Sequence, residues 1–240
     1  MLQVWQHSVF WLALAATFPA FAEDALLSRP ATCKPVLTIQ TRGCQVNTVL
    51  HCAAPDAAPW RWEAYDDTGS TYVGSFDLDF VQIMTVFPGS GLRFDYDMTQ
   101  SSSTAPAEVA QTGHGTERMK GEILLRDQRV NVLEYHDIAR LDPPMLLDGT
   151  SLVRLRVSGT RTITPPLRAE RQDFMNYYDP QTGILLGGES LLRDADGKMT
   201  LSGQPAQLIH PGEPGFDGTS PRFDCQTLSF NVTDKKAFHS

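Results

Sequence analysis

The sequence lacks a basic excess and any long uninterrupted apolar run. Lys and Arg number 20 against 28 Asp and Glu, which gives a formal net charge of -8 at pH 7. A protein that binds nucleic acid needs a basic surface to neutralise phosphates, so we predict no nucleic-acid partner. No segment provides the ~20 apolar residues that a membrane-spanning helix needs, so we also predict no transmembrane segment.

The sequence patterns that mark common catalytic and cofactor sites are missing as well. There is no G-x-S-x-G nucleophile elbow and no S-x-x-K pair. A glycine-rich phosphate loop and an H-E-x-x-H zinc pair are also absent. The cysteines form no C-x-x-C pair and no Cys/His cluster at zinc spacing. We therefore predict no cofactor and no metal site, and no motif identifies a catalytic residue.

An apolar run at residues 9–21 is the first feature that the chain does have. It is followed by small residues in the pattern Ala20-Phe21-Ala22. The run is too short to span a bilayer and ends like a signal-peptidase site, although no Lys or Arg precedes it. We predict that residues 1–22 are a cleaved signal peptide and that the protein is periplasmic or secreted.

The even number of cysteines in an exported chain predicts two disulfides. Two apolar runs flank an Arg-Gly dipeptide at residues 42–43 and predict a β-hairpin. A two-residue turn there places Cys33 opposite Cys52, with Cα atoms ~4.5–5.5 Å apart, within reach of a disulfide. Cys44 is then left to pair with Cys225. A longer turn would shift this register.

Alternation of apolar and polar side chains dominates residues 60–99. Phe94 and Tyr96, for example, alternate with aspartates, and residues 76–84 are predicted as one continuous strand. Period-two alternation marks a sheet with one apolar face. The fold class is therefore mainly β, a large and strongly twisted antiparallel sheet or open barrel with little helix and a disulfide-tied N-terminal hairpin.

The predicted domain boundaries follow from these segments. Residues 23–59 form the Cys-bearing hairpin and a linker, residues 60–232 form a single antiparallel β domain, and residues 233–240 form a frayed tail. Residues 100–115 contain hardly any large apolar side chain, so we expect a mobile loop or lid that includes a short helix. An Asp-Pro-Pro sequence at 142–144 is expected to break the chain, since proline cannot donate to a strand ladder.

Two late turns complete this pattern, D-x-x-T-G at residues 179–183 and D-x-D-G at residues 194–197. An exported all-β domain with a meander, an insertion and these turns resembles the periplasmic half-barrel proteins of the lipoprotein-carrier type and related exported bacterial families. The resemblance implies a curved antiparallel sheet that cups an apolar cavity closed by helices. This chain departs from that plan in having little helix and two predicted disulfides, and no site residue is carried over.

Function is predicted from the apolar face of the sheet. Aromatic and Met side chains with few polar groups suit an apolar or lipid-like ligand. We predict a non-enzymatic binding or carrier protein, with the candidate ligand-binding residues Phe76, Phe80, Met84, Phe94 and Tyr96. Two alternatives stay open: a periplasmic enzyme whose site combines scattered residues such as His136, Asp137 and His210, and a structural or interaction protein in which the apolar side chains fill a dry core.

Overall fold

The computed structural model describes residues 26–53, 58–125, 128–165, 167–193 and 199–225, with the side chains of residues 189–202 left out. Several predicted segments lie outside these residues. They are the signal peptide at 1–22, the D-x-D-G hairpin at 194–197, the last part of the β domain at 226–232 and the tail at 233–240.

The described residues form fourteen β-strands and a short helix, α1 (Pro106–Thr112). The strands, in chain order, are β1 (Cys33–Thr41), β2 (Gln45–Cys52), β3 (Trp60–Asp66), β4 (Gly69–Phe76), β5 (Gln82–Phe87), β6 (Leu92–Tyr96), β7 (Ser102–Ser103), β8 (His114–Leu125), β9 (Gln128–Leu147), β10 (Thr150–Thr164), β11 (Arg168–Asp179), β12 (Ile184–Arg193), β13 (Met199–Ser202) and β14 (Pro205–Ile209).

All of these strands belong to one antiparallel sheet that follows the chain as a meander. The order is β13-β12-β11-β10-β9-β8-β6-β5-β4-β3-β2-β1-β14, and β7 pairs with β8. The two ends of the sheet meet because β13 pairs with β12, β14 pairs with β1, and only Gly203 and Gln204 separate β13 from β14. The sheet is therefore a nearly closed barrel, and the predicted mainly β fold is confirmed.

Short turns set the register of the meander. Asp148 and Gly149 connect β9 to β10 with φ angles of 49° and 82°, the left-handed conformation that a two-residue hairpin turn requires. In the D-x-x-T-G turn, the Asp179 carboxylate accepts hydrogen bonds from the backbone N–H of Gln181 at 2.9 Å and from the Thr182 hydroxyl at 2.7 Å. Asx chemistry of this kind lets aspartate replace a backbone partner at a turn.

The expected chain break at residues 142–144 is wrong, because β9 runs through both prolines. The pairing of β9 with β10 shifts there: Leu141 lies opposite Arg154 and Met145 lies opposite Leu152. A bulge of this kind leaves the intervening residues out of the ladder, so the missing proline N–H groups cost no inter-strand hydrogen bond.

Both predicted disulfides are present: Cys33–Cys52 closes the N-terminal hairpin, and Cys44–Cys225 joins its turn to residue 225. The turn itself differs from the prediction, since Thr41 pairs with Gln45 and the turn therefore has three residues. A bulge at Pro35 shifts the register back by one residue, which returns Cys33 to a position opposite Cys52. The hairpin lies inside the sheet, between β14 and β3.

Residues 210–225 pack on the outside of β1 and β2. The Thr38 hydroxyl accepts from the backbone N–H of Asp217 at 2.8 Å, and the Gln40 side-chain oxygen accepts from the N–H of Arg222 at 3.0 Å. Thr38 and Gln40 are fully buried although both are polar. This outer layer explains why β1 is buried on both faces.

The expected mobile loop at residues 100–115 is packed structure. Its short helix α1 is present, and Val109 is 0% exposed in a cluster with Ile138, Leu155 and Val157. Thr104 also pairs its backbone N–H with the carbonyl of Thr116 at 2.9 Å. One well-placed valine therefore anchors a segment whose composition alone offers little to bury.

Candidate functional site: the interior of the barrel

A half-open cavity of about 450 Å³ lies on the inner side of the sheet, within the ~300–1,000 Å³ range typical of small-molecule sites. Its lining comes mainly from β2, β3, β4, β11 and β12. The lining residues are Gln45, Asn47, Trp62, Ala64, Thr71, Tyr72, Phe76, Phe80, Gln82, Phe87, Phe174, Asn176, Leu185, Gly187 and Gly188.

Aromatic side chains form much of the wall. Trp62 and Phe76 meet edge to face with ring centroids 5.7 Å apart, and Tyr72 meets Phe87 in the same way at 5.6 Å. The Trp62 ring spans the barrel to β12, where a Cβ on Gly187 would lie only 1.9 Å from the indole. Glycine is needed there for Trp62 to occupy its place.

Phe76 and Phe80 both line the cavity, but not as members of one strand. The predicted continuous strand at 76–84 is wrong, because β4 ends at Phe76 and β5 begins at Gln82. The Asp77 carboxylate accepts from the backbone N–H groups of Asp79 at 2.9 Å and Val81 at 2.8 Å, which forms a turn. Phe80 reaches the interior from this turn with a φ of 58°.

Phe94 and Tyr96 line a second, smaller cavity of about 200 Å³. This cavity shares Tyr72 and Phe87 with the larger one, so the two adjoin. Met84 lines neither cavity; it pairs across the sheet with Ser75 and Asp95. Four of the five predicted residues therefore face interior space.

Polar side chains cross the apolar interior between β6 and β11. Glu134 is 4% exposed. Its carboxylate accepts hydrogen bonds from Arg161 Nε at 2.7 Å and from the Tyr96 hydroxyl at 2.8 Å. Arg161 also stacks over the Phe94 ring at 4.8 Å. Burial, reinforced by the Glu134 charge, raises the pKa of Tyr96 well above its ordinary value. The Tyr96 hydroxyl therefore stays neutral and serves as a donor.

His136 extends this polar group with both ring nitrogens engaged. Nδ1 lies 2.8 Å from Glu117 Oε2, and Nε2 lies 2.7 Å from the Gln172 side-chain amide, whose nitrogen donates to Nε2 when its oxygen accepts from Arg161. Burial alone would lower the pKa of His136, but the hydrogen bond and charge of Glu117 outweigh burial and raise it. A Cβ on Gly159 would lie 1.9 Å from the Tyr135 carbonyl oxygen and 2.7 Å from the His136 ring, so glycine allows β10 to approach β9 closely beside the imidazole.

The residues of the alternative enzyme site do not come together. His136 points into the barrel, whereas Asp137 is the next residue on β9 and is exposed on the opposite face. His210 follows β14 in an exposed loop, where its backbone N–H donates to the Glu213 carboxylate at 2.7 Å. His136, Asp137 and His210 therefore do not form one catalytic site.

Two further features are absent from the part of the chain that the structure describes. No group of three or more His, Cys, Asp or Glu side chains is arranged to hold a metal ion. No helix there combines the length and the apolar character needed to cross a membrane.

Comparison with known proteins adds no relative. No family model, curated protein or solved structure matches this chain. What the cavity does has to be argued from its own residues.

Sequence reasoning missed several cavity residues, among them Trp62, Asn47, Asn176 and Phe174. Trp62 belongs to an alternating strand, and that alternation already placed it on the same face as Ala64. Asn47 and Asn176 gave no such signal, because a polar interior position reads in the sequence as a solvent-facing one. Phe174 belongs to the segment at residues 168–178, where apolar and polar residues do not alternate regularly. Their role depends on a sheet that curls far enough for β2 and β11 to face each other.

Proposed function

We propose that this protein is a non-enzymatic binding or carrier protein that holds a largely apolar small molecule inside its barrel. The observation that carries the proposal is the cavity of about 450 Å³ with its aromatic walls. A dry structural core packs its side chains to high density and leaves few voids larger than a water molecule. A half-open space of this size with aromatic walls differs from such a core and is suited to a small, largely apolar occupant.

The interior polar groups support binding over catalysis. His136 is the buried imidazole of the interior polar group, and both of its nitrogens already have protein partners. A general base needs one nitrogen within hydrogen-bond reach of a substrate proton. The polar group is better explained as a satisfied network that fixes the shape of the interior.

We further propose that the protein works in the periplasm or is secreted. The apolar run at residues 9–21 and the Ala20-Phe21-Ala22 pattern support export. The two disulfides are consistent with an oxidising compartment, because they are rare where thiols are kept reduced. An apolar ligand in an aqueous compartment gains from a carrier that shields it from water.

Titration with the uncharged fluorophore N-phenylnaphthylamine tests the binding proposal. Its fluorescence rises in apolar surroundings, and we expect saturable binding to the wild-type protein. Ala64→Phe places a ring in the cavity and should weaken binding by about tenfold or more, roughly 1.4 kcal/mol. The matched control Ser151→Phe adds the same ring at an exposed position on β10 and should bind like wild type.

Melting temperatures verify that both variants are folded. A wild-type protein with no saturable binding would contradict the proposal. Equal binding by wild type and folded Ala64→Phe would show that the probe sits elsewhere.

A further inference from the structure

The cavity lining contains no Asp, Glu, Lys, Arg or His among its described residues. A charged ligand group would lose its hydration there without gaining a counter-charge. Two of the nearby charged groups are already engaged, since Arg161 pairs with Glu134 at 2.7 Å and Glu117 pairs with His136 at 2.8 Å. Asp79 lines an adjoining smaller pocket and adds a negative charge there. The lining therefore disfavours an ionised ligand.

The polar groups that do face the cavity are mostly side-chain amides. Asn47 on β2 and Asn176 on β11 lie on strands that are not neighbours in the sheet. Among the described residues, neither side-chain amide has a hydrogen-bond partner, and neither has its polar atoms sealed from the cavity. Each amide offers both a donor and an acceptor.

The two amides lie in tightly packed parts of the wall. A Cβ on Gly188 would lie 1.6 Å from the backbone carbonyl oxygen of Met175 and 2.7 Å from Asn176 Oδ1, so β11 and β12 approach closely beside this amide. Asn47 is only 8% exposed and pairs across the sheet with Ile39 on one side and Ala64 on the other. A ligand that fills the cavity must replace the hydrogen bonds that water makes to these groups.

We infer that the ligand is an uncharged molecule with an apolar body and a hydrogen-bonding group, such as a carbonyl, hydroxyl or amide, that Asn47 and Asn176 recognise. The inference rests on the proposed function and defines the ligand class. Buried amides of this kind discriminate by leaving polar groups unpaired when the ligand lacks the matching group.

Four naphthalene derivatives of similar shape separate the ligand classes in isothermal titration calorimetry. They carry an ethyl, an acetyl, a carboxylate or a protonated aminomethyl group. The acetyl compound should bind about tenfold tighter than the ethyl compound, because only its carbonyl pairs with an amide. The carboxylate and the amine should bind more weakly than the acetyl compound, because the cavity offers them no counter-charge.

Asn176→Leu and Asn47→Leu keep the branched shape of the side chain and remove the hydrogen-bonding groups. Each should reduce the acetyl preference to within about threefold, while the affinity for the ethyl compound stays the same or rises. The matched control Asn131→Leu makes the same change at an exposed position on β9 and should keep the wild-type preference.

The possible results are distinguishable. Binding of neither neutral compound would overturn the proposed function and this inference with it. Equal binding of the ethyl and acetyl compounds would overturn the inference alone, as would tightest binding of the carboxylate or the amine. If a leucine variant does not fold, the wild-type series still decides among these outcomes.

Discussion

Replacing Glu63 by Gln should destabilise the protein strongly, because Glu63 is the buried centre of an ion-pair network on the outer side of β3. Glu63 is 1% exposed, and its carboxylate accepts hydrogen bonds from Arg61 Nε at 2.8 Å and from Arg29 Nη2 at 2.8 Å. Arg61 is itself buried, while Arg29 keeps a second partner in Asp217 at 2.8 Å. Glu63→Gln therefore leaves the charge of Arg61 uncompensated.

Breaking a buried ion pair on one side costs ~3–5 kcal/mol. Gln can still accept hydrogen bonds, so we expect the low end, about 3 kcal/mol, in urea unfolding followed by tryptophan fluorescence. The matched control is Glu122→Gln, whose partner Arg129 lies 3.2 Å away with side chains 47% and 69% exposed, and it should cost less than about 1 kcal/mol.

The same network predicts a pH dependence. Burial alone would raise the pKa of Glu63, but the hydrogen bonds from Arg29 and Arg61 outweigh burial and lower it. The stabilisation is therefore full above the ordinary carboxyl pKa of ~4.3 and is lost as the pH falls through the lowered value. Glu63→Gln should therefore make the free energy of unfolding depend less on pH in this acidic range. Equal stability of Glu63→Gln and Glu122→Gln would refute the reasoning.

Three further predictions concern other parts of the barrel. Val109→Ala should cost about 2 kcal/mol in urea unfolding; an unchanged stability would mean that α1 does not anchor its segment. His136 has a raised pKa, so its stabilisation is full below ~6.5 and is lost as the pH rises through the raised value. Glu117→Gln should therefore remove that dependence from melting curves, and persistence would assign it elsewhere. Double Ala replacement of Cys44 and Cys225, 181 residues apart, should cost about 3–5 kcal/mol in equilibrium unfolding, and a loss below 1 kcal/mol would contradict the loop-entropy argument.

The alternation of apolar and polar residues, together with the turn residues, was sufficient to predict the sheet, because the alternation within each strand identifies its apolar face. They could not predict how far the sheet curls. Closure depends on β13 and β14 pairing with opposite ends of the meander, a long-range arrangement with no local signature. The Cys33–Cys52 pair was predicted from a register that is one residue off at the turn and is restored by the bulge at Pro35.

The candidate site was predictable in part for the same reason. Phe76 belongs to an alternating strand, and its inward direction follows from the pattern. Phe80 lies inside for a different reason, because the Asp77 turn carries it there. Val109 illustrates the opposite error, since composition averaged over residues 100–115 hides one fully buried side chain.

Native mass spectrometry of the protein, purified from the cells that produce it, is the most direct test of the central claim. The account predicts one molecule bound per protein. After extraction into organic solvent this molecule should prove to be uncharged, and folded Ala64→Phe should lack it. Bare protein from that source, together with no binding of the neutral probes, would contradict the claim that the barrel interior is a ligand site.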